Sequence, residues 1–426
     1  MPDVEFVNLF AVTLIALAAP LALGFAPALR IPAVVLEIVA GVVIGPSGLG
    51  WVHVDLPVQI VALIGLAFLL FLAGLEIDVH RLRGRLLRLA VLGYLMTVAL
   101  GLAAGFGFRA ADWVRDPWLL AIALSATSLG LVVPVLKDAR RADGALGQTV
   151  IAASSIADFA AVVLLSLLFS ATEGSTGGKL VLLALFAGLV VVIGLAVALA
   201  GRSMQLGEVL RRLQDTTAEI RVRGAVVLLI ALVALAEKFG LESILGAFLA
   251  GAMVGLLDRD ASSHPRFRTK LEAIGYGFVI PVFFVTSGLR LDLHALLANP
   301  ASFARVPLFL LALLLVRGLP ALLYLRLFDR NAVLAAGLLQ ATSLPFIVTA
   351  TQIGLLTGLM SPVTATALVC AGLLSVLLFP LLALALLRGM GRRAAVGPGP
   401  GSLELAGELE QRGFGTVAGE EMHADG

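Results

Sequence analysis

The chain has 426 residues, 60% of them hydrophobic and only 14% charged, with a mean hydropathy of +1.05. That balance excludes a soluble domain of this size, because apolar runs of 18 or more residues recur along nearly the whole length. The formal net charge is only +2, and no nucleic-acid partner is expected.

A bilayer leaves helices or closed barrels as spanning structures, and there is no period-two alternation here, so an all-α polytopic membrane protein is expected. The first apolar run lacks a basic leader and a small-x-small cleavage site, so it reads as a helix rather than a signal peptide. In chain order, helices are predicted near 4–25, 33–47, 58–77, 87–108, 117–136, 149–170, 179–200, 221–238, 243–257, 270–289, 303–325, 332–354 and 363–388, about 13 in all. The second and ninth are short and glycine-rich. Cys370 is the single cysteine and lies in an apolar run, which reads as packing. His53, His80, His264, His294 and His423 are scattered, with no metal-ligand spacing.

Basic residues gather after every odd-numbered helix: Arg30, then Arg81 to Arg88, Lys137 to Arg141, Arg202 to Arg223, Arg259 to Lys270, Arg326 and Arg330, and Arg388 to Arg393. The positive-inside rule then places the N-terminus outside and the C-terminus in the cytoplasm, in a multi-pass inner-membrane protein. Residues 394–426 are Gly/Pro-rich and then polar. They read as a disordered cytoplasmic tail, too short for a folded regulatory domain.

An internal repeat pairs each helix with the one seven further on. Ala126-Thr127-Ser128-Leu129 recurs as Ala341-Thr342-Ser343-Leu344, each followed by a proline, Pro134 or Pro345. Ala40-Gly41 to Gly45 matches Ala250-Gly251 to Gly255, and Gly74-Leu75-Glu76 matches Gly288-Leu289-Arg290. Seven is odd, so the copies enter the membrane from opposite sides: an inverted-topology repeat, the layout of many secondary transporters.

Asp158 lies mid-way along the sixth helix. A carboxylate there costs roughly 2.5–3.5 kcal/mol on insertion scales, so it binds an ion, carries a proton or forms a structural ion pair. Ser154 and Ser155 precede it by one turn on the same face, and an Asp among hydroxyls suits Na+ or K+. Thr127 and Ser128, like Thr342 and Ser343, sit where each helix can be interrupted, freeing carbonyls and half-helix ends for a cation. The plainer alternative is a proline kink whose hydroxyl bonds its own backbone. Arg317 is the other central charge. It either balances the interrupted helices or a carboxylate, or snorkels to the headgroups. Glu37 and Glu76 are weaker candidates for a funnel or a pH-sensing position, Glu76 having nearby arginines as an alternative role. Glu237 is weaker still.

Pro32-Ala-Val-Val-Leu-Glu37-Ile-Val-Ala-Gly41-Val-Val-Ile-Gly45-Pro46-Ser47, Gly65 through Ala73-Gly74-Leu75-Glu76, and Pro281-Val-Phe-Phe-Val-Thr-Ser287-Gly288-Leu289 resemble signatures of the monovalent cation:proton antiporter-2 family. The resemblance spans about residues 5–390. It implies the sodium/hydrogen-exchanger-like fold with two crossed discontinuous helices and elevator-type alternating access. It also implies a homodimer, with a dimerisation part near 4–77 and 221–290, a core near 87–170 and 303–388, and a linker helix at 179–200. Family members carry an acidic or amide residue followed by Asp at the position of Ala157-Asp158, and a Lys or Arg at that of Arg317. Asp158 is then the ion-binding residue. Ala157 departs from the pattern and removes a second carboxylate, so one proton per cation and electroneutral exchange are expected. Some relatives carry a cytoplasmic nucleotide-binding domain, and gating through one is not expected here. The expected function is exchange of H+ for Na+ or K+ across the bilayer, with no cofactor and no enzymatic activity. A cation channel or uniporter on the same fold is the alternative. His-Glu-x-x-His, paired membrane aspartates and Gly-x-Ser-x-Gly are all absent.

Overall fold

The computed structural model describes residues 5–25, 32–76, 84–138, 141–142, 144–169, 176–201, 219–257, 265–298 and 300–395. The tail beyond residue 395 and the loop arginines Arg30, Arg81, Arg83, Arg140, Arg202, Arg211, Arg212 and Arg259 lie outside the described residues.

Every regular element among the described residues is helical. The first half contains α1 (Val7–Phe25), α2 (Ala33–Ile44), α3 (Leu56–Leu75), α4 (Gly84–Ala110), α5 (Pro117–Ser125), α6 (Leu129–Asp138), α7 (Ala145–Phe169) and α8 (Thr176–Gly201). Then come α9 (Ile220–Lys238), α10 (Ser243–Leu257) and α11 (Pro265–Ile274), which runs through a π-turn at Gly275–Val279 into α12 (Ile280–Leu289). Short α13 (Leu293–Leu297) and α14 (Pro300–Phe303) lead to α15 (Arg305–Gly318), extended by a 3-10 segment, Leu319–Arg326. The chain closes with α16 (Arg330–Gln340), α17 (Pro345–Leu356) and α18 (Pro362–Ala395).

Helix starts follow local chemistry. Asp55 and Asp116 accept the Val58 and Leu119 N–H groups at 3.1 and 2.9 Å, each ahead of a proline in the first turn. Such a cap satisfies a donor that the helix itself leaves open, and proline there loses no bond.

Among the described residues seven helices are long and apolar enough to cross a membrane, and four more are apolar but shorter. The count of 13 crossings is therefore not established by helix length. The helix predicted at 117–136 is two pieces, and α9 carries Arg221, Arg223, Glu237 and Lys238 at its ends. The outward faces of α1 (Phe10, Leu14, Leu17, Leu21) and α8 (Val181, Leu185, Val192, Leu195) are exposed and apolar, as a lipid-facing surface requires.

Packing divides the chain into two groups. Helices α1–α3 pack with α9–α12, and α4–α7 pack with α15–α18. In the first group two helix crossings repeat. Gly41 of α2 lies against the Val285 carbonyl of α12, and Gly288 of α12 against the Ile38 carbonyl of α2. Likewise Gly74 of α3 lies against the Phe248 carbonyl of α10, and Gly251 of α10 against the Phe71 carbonyl of α3. A Cβ at any of the four would run into backbone, so only glycine permits the approach. These are the glycines aligned in the sequence repeat, and the structure pairs them as reciprocal contacts.

Candidate functional site

The second group holds the two interrupted helices. The first breaks between α5 and α6 at Ala126–Ser128, and the second between α16 and α17 at Ala341–Leu344. The breaks meet directly, because the Ser128 N–H donates to the Thr342 carbonyl at 2.9 Å. Pro345 is the first residue of α17. Pro134 lies inside α6 rather than at the break, so the two prolines are not equivalent.

Asp158 faces the first break. Its Oδ1 accepts the Thr127 N–H at 2.9 Å, which engages an amide left open where α5 stops. It is half-buried, while Ala157 beside it is fully buried, its methyl in the packing.

The Thr127 side chain faces the other way. Its Oγ1 accepts from Arg317 Nε at 2.9 Å and from Nη2, and donates to the Gln340 carbonyl at 2.7 Å. Two acceptances and one donation use the whole hydroxyl. The expected Thr127 oxygen ligand is thus committed to Arg317, and its amide to Asp158. Arg317 is 2% exposed, so it does not snorkel. Its Nη1 reaches Thr97 Oγ1 at 3.3 Å and its Nε also points at the Gln340 carbonyl at 3.3 Å. Arg317 and Asp158 make no direct ion pair; Thr127 stands between them and binds both. A buried guanidinium held by neutral oxygens keeps its charge without a carboxylate partner, at the cost of several fixed acceptors.

The remaining predicted residues separate. Ser128 lines the same cavity as Asp158. Ser155 Oγ donates to the Ile151 carbonyl and Thr342 Oγ1 to Leu338, both within their own helices. The Ser154 and Ser343 hydroxyls are buried without a hydrogen-bond partner among the described residues. Ser375 accepts the Ser343 N–H at 3.2 Å and donates to the Ser343 carbonyl at 3.0 Å, bracing the second break. Glu37 is buried in α2 and does not line the Asp158 cavity.

That cavity measures about 60 Å³ and joins Asp158, Thr127 and Ser128 on one wall to Glu76 and Tyr276 on the other. Such a volume holds a few waters. Glu76 caps α3 and lies 3.8 Å from Arg268 of α11, while Arg81 and Arg83, its expected partners in sequence, lie outside the described residues. Burial pushes its carboxyl above the usual range, and Arg268 partly offsets this. Tyr276 reaches the cavity from the π-turn, a distortion frequent at functional sites.

Sequence reasoning missed Thr97, Gln340, Tyr324 and Tyr276. Gln340 Nε2 donates to Tyr324 Oη at 3.2 Å, so its backbone holds Arg317 while its side chain ties to the 3-10 segment. An amide in an apolar run was a readable signal. The π-turn had none beyond Gly275-Tyr276-Gly277. Among the described residues no three His, Cys, Asp or Glu side chains cluster as a resident metal site.

A family model described as "Sodium/hydrogen exchanger, transmembrane" matches residues 13–387. A Na+/H+ antiporter of Enterococcus hirae is 32% identical over 364 residues, covering 83% of this chain and 91% of that protein. YjbQ of Bacillus subtilis is 34% identical over 341 residues, which are 76% of this chain but 54% of YjbQ, so the chain spans about half of that relative. In fold, the structure is similar to the sodium proton antiporter MjNhaP1 of Methanocaldococcus jannaschii, with a TM-score of 0.61 at 20% identity, covering 89% of this chain and 98% of that one.

Proposed function

The chain belongs to the sodium/hydrogen exchanger family, and from that premise we propose that it exchanges protons for Na+ or K+ at Asp158. The observation that carries the reading is the Asp158 carboxylate, held by the Thr127 amide at a helix break and open to the cavity.

The chemistry is competition for one carboxylate. Asp158 takes either a proton or a dehydrated cation, and Ser128 with cavity water completes the cation's oxygen shell. Arg317 stays charged throughout. The pair is neutral when empty and carries one positive charge with either a proton or a monovalent cation bound. Each half-cycle thus carries the same charge, and one-for-one exchange is electroneutral. Ala157 supports this count, because it supplies no second titrating group.

The Asp158 group of helices moves against the α1–α3 and α9–α12 group, whose outer face pairs with a second copy of the chain in an elevator-type dimer. The close glycine crossings support a rigid scaffold, and the Glu76 end faces the cytoplasm on the distribution of basic residues.

Purified protein in proteoliposomes tests the reading. Added Na+ or K+ is expected to drive proton movement that Asp158→Asn abolishes, with the variant still eluting as a folded protein. Rates independent of membrane potential are expected. Cation flux without proton movement would identify a channel or uniporter instead, and wild-type exchange by Asp158→Asn would exclude this site.

A further inference from the structure

Hydroxyls inside apolar helices commonly bond their own backbone, and in the Asp158 group Thr149, Ser155, Thr342 and Thr349 do so. Ser166 of α7 and Thr366 of α18 are as deeply buried, at 0% and 2% exposure, and make no such bond among the described residues. Each instead accepts a backbone N–H from the other helix group. The Glu242 N–H, in the link between α9 and α10, donates to Ser166 Oγ at 3.2 Å. The Asp292 N–H, just beyond α12, donates to Thr366 Oγ1 at 3.1 Å. Asp292 belongs with the glycine-crossed group, because Ser47, between α2 and α3, holds both of its neighbours. Ser47 Oγ donates to the Leu291 carbonyl and accepts the Leu293 N–H.

Both bonds lie at the end of the molecule away from Glu76. Gly255 of α10 sits beside Leu75, so Glu242, at the other end of that helix, is about 20 Å away. Gly65 of α3 meets Val279, while Gly275 meets Phe68 and Leu72, so α12 runs away from Glu76 toward Asp292.

The cavity fits between these ends. Exposed Tyr276 puts its mouth at the Glu76 end. Inward, α7 runs antiparallel to α10, with the Phe159 and Phe248 ring centroids 5.9 Å apart. The cavity reaches Val162 and Phe248 on these helices and stops there. Ser166 is one turn beyond Val162, so its bond to Glu242 closes the seam just past the cavity's inner limit.

We propose that Ser166 and Thr366 are positioning residues for the exchange, their hydroxyls holding the seam shut at the Glu242 and Asp292 end so that Asp158 rests facing the Glu76 end. This rests on the antiporter reading above, with its two groups moving against each other, and adds the residues that set the balance between the two facing states. Loading from the far side requires α7 and α18 to part from these two amides. The amides then meet water at the helix ends, and the hydroxyls turn to carbonyls one turn earlier in their own helices. Only the difference between two satisfied arrangements is at stake. Each bond therefore shifts the equilibrium roughly two- to tenfold, enough to set the resting state without preventing turnover.

The test compares right-side-out and inverted membrane vesicles carrying the full chain, reading half-saturating Na+ for proton movement. A site presented to one side for a small fraction of the time binds from that side with affinity reduced by that fraction. Thr366→Val and Ser166→Ala are each expected to lower half-saturating Na+ on the Glu242 and Asp292 side roughly two- to tenfold, and together by about the product. On the Glu76 side the value does not fall, and Thr366→Ser keeps the wild-type values. If Thr366→Val or Ser166→Ala does not fold, Ser166→Cys with Glu242→Cys in a Cys370→Ser background supplies a second measurement. Oxidation is expected to stop exchange and reductant to restore it. Full exchange by the cross-linked protein, or slower exchange in both orientations without the one-sided shift, would overturn the role of these hydroxyls and leave the antiporter reading intact. No cation-driven proton movement by the wild type would overturn both.

Discussion

At the two glycine crossings, α2 with α12 and α3 with α10, the repeat is kept almost atom for atom: glycine against carbonyl, and carbonyl against glycine, in each pair. At the two helix breaks, which share an Ala-Thr-Ser-Leu sequence, the repeat is kept in position along the chain and abandoned in chemistry. Thr127 binds Arg317 and Gln340 with its hydroxyl and Asp158 with its amide, whereas the Thr342 hydroxyl bonds only its own helix. Symmetry survives where close backbone packing leaves no choice of side chain. It is lost where one copy alone has to hold opposite charges in the membrane.

The largest expected effect tests the symmetric half. Gly251→Val and Gly41→Val each force a side chain into backbone, and both are expected to abolish folded protein, read by elution in detergent. Folded, active Gly41→Val beside a lost Gly251→Val would mean that the crossings are not equivalent. The next tests the asymmetric half. Thr127→Ala leaves a buried guanidinium short of an acceptor and is expected to slow exchange about 10- to 100-fold, from a penalty of roughly 1–3 kcal/mol. Thr342→Ala is expected to stay within about twofold, since its bond is local. Equal losses in the two would restore symmetry to the chemistry.

A smaller effect sharpens the difference between the ends. Burial raises the Glu76 carboxyl, with Arg268 and Lys137 acting the other way and Glu272 adding to the rise. As pH falls, Glu76 therefore loses its charge earlier than an ordinary carboxylate, and cation attraction at that mouth fades with it. Glu76→Gln is expected to raise half-saturating Na+ at alkaline pH and to flatten its pH dependence, measured across a pH series in oriented vesicles. The smallest is Tyr324→Phe, which removes one buried hydrogen bond to Gln340. About 1 kcal/mol of stability is expected to be lost, seen as a modest drop in thermal midpoint with little change in rate.

Much of the fold was legible because the bilayer demands long apolar helices and the repeat glycines recur in order. Asp158 and Arg317 were legible because an intramembrane charge is costly wherever it points. What bound them was not. The break at Ala126–Ser128 is fixed by the Thr127 amide meeting Asp158 and the Ser128 amide meeting Thr342, partners distant in sequence. Pro134 looked like the marker of that break and lies within α6 instead. Among the described residues Glu76 pairs with Arg268, a partner distant in sequence, brought near by the packing of α3 on the π-turn that follows α11; Arg81 and Arg83 lie outside the described residues.

The smallness of the cavity bears on which ion is carried. In about 60 Å³ lined by two carboxylates, Asp158 and Glu76, and few hydroxyls, a cation keeps only part of its water shell. Discrimination between Na+ and K+ then depends on the free energy of stripping water, and thus on volume as much as on ligand identity. Apolar wall positions such as Ala73 and Val162 become the places where one added or removed methyl retunes ion preference.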